Sequence, residues 1–331
     1  MTAQNFEQGR RQRFLDRRYF EWLSKFLQET TEHWKHSLPA NGSEAERKAT
    51  AAWLRALGQY QLMMLRYTAG GAIEPMSGEL EDVITSFEAY STLNRVAEES
   101  ATYPPFLFSE VYLYELAMQL MGLCYLLHRV DLLPRLAAML DPAYLGKDTL
   151  YEDLLAYELE GRYDVDQWFH DRPYRDLINS LYRDTDEESI ADLKQYLEIW
   201  YSAMEKTPWH GAHLKQADES GTYYGYWAIE AAAVTYLLGL DDSSYRDHVV
   251  YPKDLVDFAR KLDAGADGSN SDRLSLRCEA GETCPKAGYW LTPAKAGSRR
   301  YFAHGEVMPT VASDYGSTIW QWDNDQSDPK L

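Results

Sequence analysis

The feature that most restricts this chain is a helical hydrophobic rhythm carried through its first 260 residues. Between Arg13 and Ser37, the apolar residues Phe14, Leu15, Phe20, Trp22, Leu23, Phe26, Leu27 and Trp34 recur mostly three or four positions apart. On a helix that spacing gathers them along one side, whereas a strand would scatter them over both faces. Pro39 and the Asn41–Ser43 turn close the segment. Ser43 and Glu46 then form a capping box for a helix over Glu44–Thr68, ended by Gly70–Gly71. The same signals predict helices over Ser77–Glu98, Leu107–Leu127 and Asp131–Leu140, with Asp141–Pro142 as a stop. Further helices are expected over Thr149–Glu158, Tyr174–Arg183, Asp186–Met204, Tyr223–Leu238 and Pro252–Leu262. Leu107–Leu127 is apolar on most sides and belongs at the centre of the core.

After Asp263 the rhythm stops. Gly265–Asp272 reads as a turn-rich linker, and short β-type runs follow at Tyr289–Thr292, Arg300–Ala303 and Thr318–Trp322. The expected fold is mainly α, a multi-helix array with a small C-terminal β-hairpin or irregular β tail. Its regions are an N-terminal helical part (1–142), an acidic helical part (143–263), and the linker with the tail (264–331).

Composition narrows the function. At 45% hydrophobic residues the chain is not disordered, and Glu110, Glu115, Gln119 and Glu230 interrupt its longest apolar passages. No segment reads as a membrane span or a secretory leader, so a soluble cytoplasmic protein is expected. Three cysteines are too few for a disulfide scaffold and point to reduced thiols. The net charge of −19 is concentrated in residues 141–205, which hold 17 of the acidic and 6 of the basic side chains. Such a field repels phosphates and disfavours nucleic acid, while it suits a basic protein partner.

Catalytic and metal signatures are weak. Cys278, Cys284 and His304 lack a zinc spacing and a fourth ligand. The pairs His33 and His36, and His210 and His213, do not have the usual two-histidine metal spacing. Neither a nucleophile elbow nor a phosphate-binding glycine loop is present. Glu230, on an apolar stretch where its pKa could rise, is the best single candidate for acid–base work; the bland alternative is a buried carboxylate tying helices together. The expectation is no metal, no cofactor and no catalytic residue.

From Gly221 the chain reads GTYYGYWAIEAAAVTYLLGLDDSSYRDHVVYPKDLVDFAR. This segment resembles immunity proteins of bacterial polymorphic toxins, particularly the group that neutralises nuclease effectors. Tyr223, Tyr224, Gly225, Tyr226, Trp227, Glu230, Ala231, Ala232, Asp241, Asp242, Ser243, Tyr251, Pro252 and Asp254 carry the resemblance. The stretches Cys284–Ala294, Arg299–Pro309 and Tyr315–Asp323 resemble immunity proteins of type VI secretion effectors. The resemblance implies a non-enzymatic inhibitor whose partner is a cognate toxin, a nuclease domain, with inhibition by occlusion or by blocked assembly. The motif also has scaffold roles: alanines permit close helix approach, Asp241–Ser243 can cap a turn, and Pro252 suits a first helical turn. Two other classes are an effector adaptor or chaperone and a carboxylate-dependent hydrolase.

Partner contact is expected from acids at loop–helix junctions, namely Asp148, Glu152 and Asp153, and Asp184, Asp186, Glu187 and Glu188. Tyr151, Tyr163, Trp168 and Tyr182 supply nearby aromatic anchors. The competing role for Asp186–Glu188 is support of a helix N-terminus.

Overall fold

Side chains at the helix entries set where the elements begin. The computed structural model describes residues 3–266, 277–292, 298–311 and 318–323. Its helices are α1 (Ala3–Gly9), α2 (Arg17–His36), α3 (Glu44–Thr68), α4 (Met76–Ala97), α5 (Val111–Leu126) and α6 (Leu133–Tyr144), followed by α7 (Thr149–Ala156), α8 (Tyr174–Ser180), α9 (Asp186–Ala203), α10 (Ile229–Leu237) and α11 (Lys253–Ala266). Asp16 caps α2 through the amides of Arg18 and Tyr19. Ser43 and Glu46 form the anticipated capping box of α3, and Asp148 and Thr185 cap α7 and α9. Each cap satisfies amides that the first turn leaves without partners.

The chain divides into two compact units, Met1–Arg260 and Lys261–Leu331. In the first, α2 packs on α3 and α3 on α4, while α5 packs against α10. Every residue of α5 from Tyr114 to Leu126 is buried, as its all-round apolar pattern requires. Gly122 lets α10 approach closely: a Cβ there would lie 3.1 Å from Ile229 Cγ2 and 3.2 Å from Ala233 Cβ. The second unit carries an antiparallel sheet of β1 (Arg277–Glu279), β2 (Gly288–Leu291), β3 (Arg300–Phe302) and β4 (Ile319–Trp322), in the order β1-β4-β2-β3. Trp290, Phe302, Met308 and Trp320 form its core with the free thiols of Cys278 and Cys284. The mainly α fold with a small β tail is therefore as the sequence indicates.

Several boundaries differ from the sequence pattern: the helix expected over Leu107–Leu127 starts at Val111, and that expected over Tyr174–Arg183 ends at Ser180. The helix expected from Tyr223 starts only at Ile229, and residues 222–228 before it are irregular. Asp141–Pro142 does not stop α6, which continues to Tyr144 with Pro142 inside its last turn. Proline there forfeits only one helical donor, and Leu145 N–H still donates to Asp141 O at 3.2 Å. Strand β1 has no alternating signature long enough to be seen. Of the expected linker, Gly265 and Ala266 end α11, and residues 267–272 lie outside the described residues, as do parts of the tail motifs at 293–294 and 315–317.

Candidate partner-binding surface

The segment that carries the family resemblance is interior. Tyr223, Tyr224, Tyr226 and Trp227 are all buried, and their backbone has no regular secondary structure. Buried peptide groups need partners, and side chains from remote elements provide them. Gln12 Oε1 accepts from Tyr226 N–H at 2.9 Å and from the Tyr223 hydroxyl at 2.7 Å. Tyr223 N–H donates to the Tyr19 hydroxyl at 2.9 Å, Thr68 Oγ1 donates to Tyr224 O at 2.6 Å, and Gln119 Nε2 donates to Trp227 O at 2.9 Å. Gly225 has φ +113°, and a Cβ on it would fall 2.2 Å from Thr68 Oγ1. This set of bonds outcompetes the helix that the apolar spacing suggests.

Beneath that segment lie two buried carboxyls, Glu115 and Glu230. Glu230 Oε1 accepts from the Tyr196 hydroxyl at 2.6 Å and from Trp200 Nε1 at 3.1 Å. Glu115 accepts from Trp209 Nε1 at 2.9 Å and Gln119 Nε2 at 2.8 Å. Burial pushes Glu230 up to about 7 against the pull of these donors. Burial, reinforced by the charge of Glu230, drives Glu115 well above the usual carboxylate range. Tyr60, Glu115, Gln119, Trp209 and Trp227 line a cavity of about 10 Å³, roughly room for one water. Glu230 thus joins α10 to α9, and the space beside Glu115 does not admit a substrate.

Of the remaining signature residues, Asp242, Tyr251 and Pro252 are buried, while Asp241 and Ser243 are exposed. Asp242 accepts from Arg246 Nη1 at 2.9 Å and from the Tyr251 hydroxyl at 3.1 Å. Asp241 accepts from Ser243 N–H at 2.9 Å, closing the turn. Pro252 is buried next to the start of α11.

A second irregular segment, residues 157–173, joins α7 to α8 at the surface. The first turn of α7 holds it from below. Thr149 N–H donates to Gln167 O at 2.8 Å, and Thr149 Oγ1 donates to Val165 O at 2.6 Å. Asp148 caps α7 through Tyr151 N–H at 2.9 Å and accepts from Phe169 N–H at 3.1 Å. Glu152 accepts from Gly146 N–H at 2.7 Å, Tyr163 N–H at 3.0 Å and Arg162 Nε at 2.8 Å. Arg162 also reaches Asp141 at 2.9 Å, and Asp141 accepts from the Tyr151 hydroxyl at 2.7 Å. Burial lifts Asp148 to about 6 despite these two amide donors and the Tyr114 hydroxyl, which donates to it at 2.9 Å, with nearby Glu152 adding to the rise.

This geometry corrects part of the expected contact set. Asp148, Tyr151 and Glu152 are 0–1% exposed and cannot touch a partner without unfolding α7. Their polar atoms are used on the loop and the helix cap, a role that spacing alone does not distinguish from exposure. Asp184, Asp186, Glu187, Glu188 and Tyr163 are exposed. Tyr182 is exposed too, and its hydroxyl donates to the half-buried Asp153 at 2.7 Å, so these two expected residues do meet. Trp168 is half-buried, with the Arg175 guanidinium 4.7 Å from its ring centre. Asp186, Glu187 and Glu188 occupy the first turn of α9, where the helix dipole favours them. Sequence inspection missed Gln12, Thr149, Arg162 and Phe169. Arg162 alone had a visible signal, as the one cation in the acidic run from Glu158 to Asp166.

Among the described residues no group of three or more His, Cys, Asp or Glu is placed to hold a metal ion. No described helix is long and apolar enough to cross a membrane.

Residues 146–255 match the family model of PoNe immunity proteins (PoNi), C-terminal. The match supports an immunity protein of a polymorphic toxin system. It begins at the turn before α7 and so takes in both irregular segments. The fold is similar to the crystal structure of protein PA2201 from Pseudomonas aeruginosa, at a TM-score of 0.61 and 23% identity, covering 78% of this chain and 95% of that one. No curated protein matches the chain.

Proposed function

We propose that this chain is an immunity protein that binds a cognate toxin effector and neutralises it by direct contact, without catalysis. The observation that carries the reading is the match of residues 146–255 to PoNe immunity proteins. The finer reading is a nuclease toxin that acts in the cytoplasm and is delivered by type VI secretion. Its support is electrostatic: a nuclease must hold phosphates with a basic surface, and the net charge of −19 gives this chain the opposite field. The same field opposes direct binding to nucleic acid. The best acid–base candidates speak against a hydrolase, since Glu115 and Glu230 are buried in the core and the space beside Glu115 is only water-sized.

Co-expression tests the reading. The toxin domain alone should arrest growth, and this chain should restore it. Purified chain should abolish DNA cleavage by that domain and leave the toxin's covalent mass unchanged. A chain that shifts labelled DNA at moderate salt, or a stable complex in which the toxin stays fully active, contradicts it. Rescue against the isolated toxin domain also separates immunity from an adaptor role, which requires the secretion apparatus.

A further inference from the structure

Connections of more than about 12–15 residues without secondary structure are uncommon in compact domains and are often functional. The 157–173 segment exceeds that length, yet it is not loosely held. Asp148, Thr149 and Glu152 are buried and bond its backbone at Tyr163, Val165, Gln167 and Phe169. Three buried polar side chains are thus devoted to the shape of one surface loop.

The loop displays apolar groups outward. Tyr163 is 55% exposed and Phe169 38%, and Leu145 beside them is 40% exposed. All three adjoin the stretch 144–146, with Leu145 within it: the Tyr163 ring lies 3.5 Å from where a Gly146 Cβ would stand. Phe169 packs edge-on to Tyr144 at 5.6 Å between ring centres. Contiguous exposed apolar side chains with a polar rim mark contact surfaces. The rim here is acidic. Glu160, Asp164 and Asp166 are exposed and form no ion pair among the described residues. Of the two arginines in the loop, Arg162 is taken up by Asp141 and Glu152 below, while the exposed Arg172 donates to Ser202 Oγ at 3.1 Å.

We infer that this loop is the docking surface for a basic face of the toxin, with Tyr163 as the anchoring side chain and Asp164 and Asp166 meeting the toxin's cations. The inference rests on the immunity reading and adds the place and the chemistry of contact. The occupant is a protein surface of positive charge because Glu160, Asp164 and Asp166 outnumber the loop's one exposed cation, Arg172, and charge complementarity steers such encounters. The buried bonds below fix the loop before binding, so little ordering entropy is lost on docking.

The test uses the full chain and the toxin domain that the growth assay identifies. Binding kinetics are measured for the parent, for Tyr163→Ala, and for the double variant Asp164→Lys with Asp166→Lys; thermal melts confirm that each is folded. Tyr163→Ala should weaken binding about tenfold or more, mainly through faster dissociation. The double variant should slow association about tenfold at about 50 mM salt, and the gap should shrink at high salt. Binding by both variants within about twofold of a tightly binding parent overturns this inference while the immunity reading stands. A parent that does not bind the domain overturns both. Self-association of the chain that Tyr163→Ala abolishes, with toxin binding unchanged, also overturns the inference, because the occupant would then be a second copy.

Discussion

Two segments of this molecule, residues 222–228 and 157–173, abandon regular structure and are tied down by side chains from elsewhere. In the first, the side chains of the segment turn inward, and Gln12, Tyr19, Thr68 and Gln119 satisfy its backbone. In the second, the backbone is held from below by Asp148, Thr149 and Glu152, while Tyr163 and Phe169 face water. The same device therefore serves two ends: one segment knits the core, and the other shapes a surface. The stretch with the strongest family resemblance includes the first segment, so resemblance there reports the scaffold rather than the contact.

The comparison breaks hardest at Gly225. With φ +113° and neighbours 2.2 Å from a Cβ, Gly225→Ala has no room. The expected loss is about 3 kcal/mol or more, read as a large fall in the thermal midpoint and as insoluble protein. At the other segment, Arg162→Ala leaves Glu152 buried without its cation, at a cost of about 3–5 kcal/mol. Hydrogen exchange distinguishes this variant from the first. Amides of Tyr163 and Phe169 should lose protection while those of α5 keep theirs, whereas Gly225→Ala should loosen α5 and α10 together.

Helices were legible because their period and caps are local: the spacing from Phe14 to Leu27 and the Ser43–Glu46 box need only neighbouring residues. The buried irregular segment was not legible, because what opposes its helix comes from Gln12 and Thr68, more than 150 positions away in sequence. The acids of 141–205 show the same limit. Asp148 and Asp186 look alike as acidic residues at helix starts, yet one is a buried cap bonded to a loop and the other is exposed. Charge patterning measures the field and leaves each side chain's direction undetermined.

A smaller effect separates the segments by pH. Glu230 sits under the buried segment, and its folded pKa is raised from 4.5 to about 7. A raised carboxyl favours the folded state while protonated, so its contribution is full below about 4.5 and is lost as pH rises to about 7. Chemical denaturation at pH 5 and pH 8 should show a smaller loss for Glu230→Gln than for the parent. Asp148, raised from 3.8 to about 6, has the same sign with an earlier window, so Asp148→Asn should flatten the profile between about pH 4 and pH 6. Smallest of all, Glu187→Lys at the exposed start of α9 should cost roughly 0.3–1 kcal/mol through the helix dipole, with toxin binding slowed only slightly, in proportion to the general field.

Hydrogen exchange of the full chain, free and saturated with the toxin domain, tests most directly the division between a segment that holds and a segment that binds. The account predicts new protection at the amides of residues 160–169 and little change at residues 222–228, of which 223–228 are buried and the Tyr223, Tyr226 and Ala228 amides are already bonded. Unchanged exchange across 160–169 in a saturated complex, with protection appearing elsewhere on the surface, contradicts it.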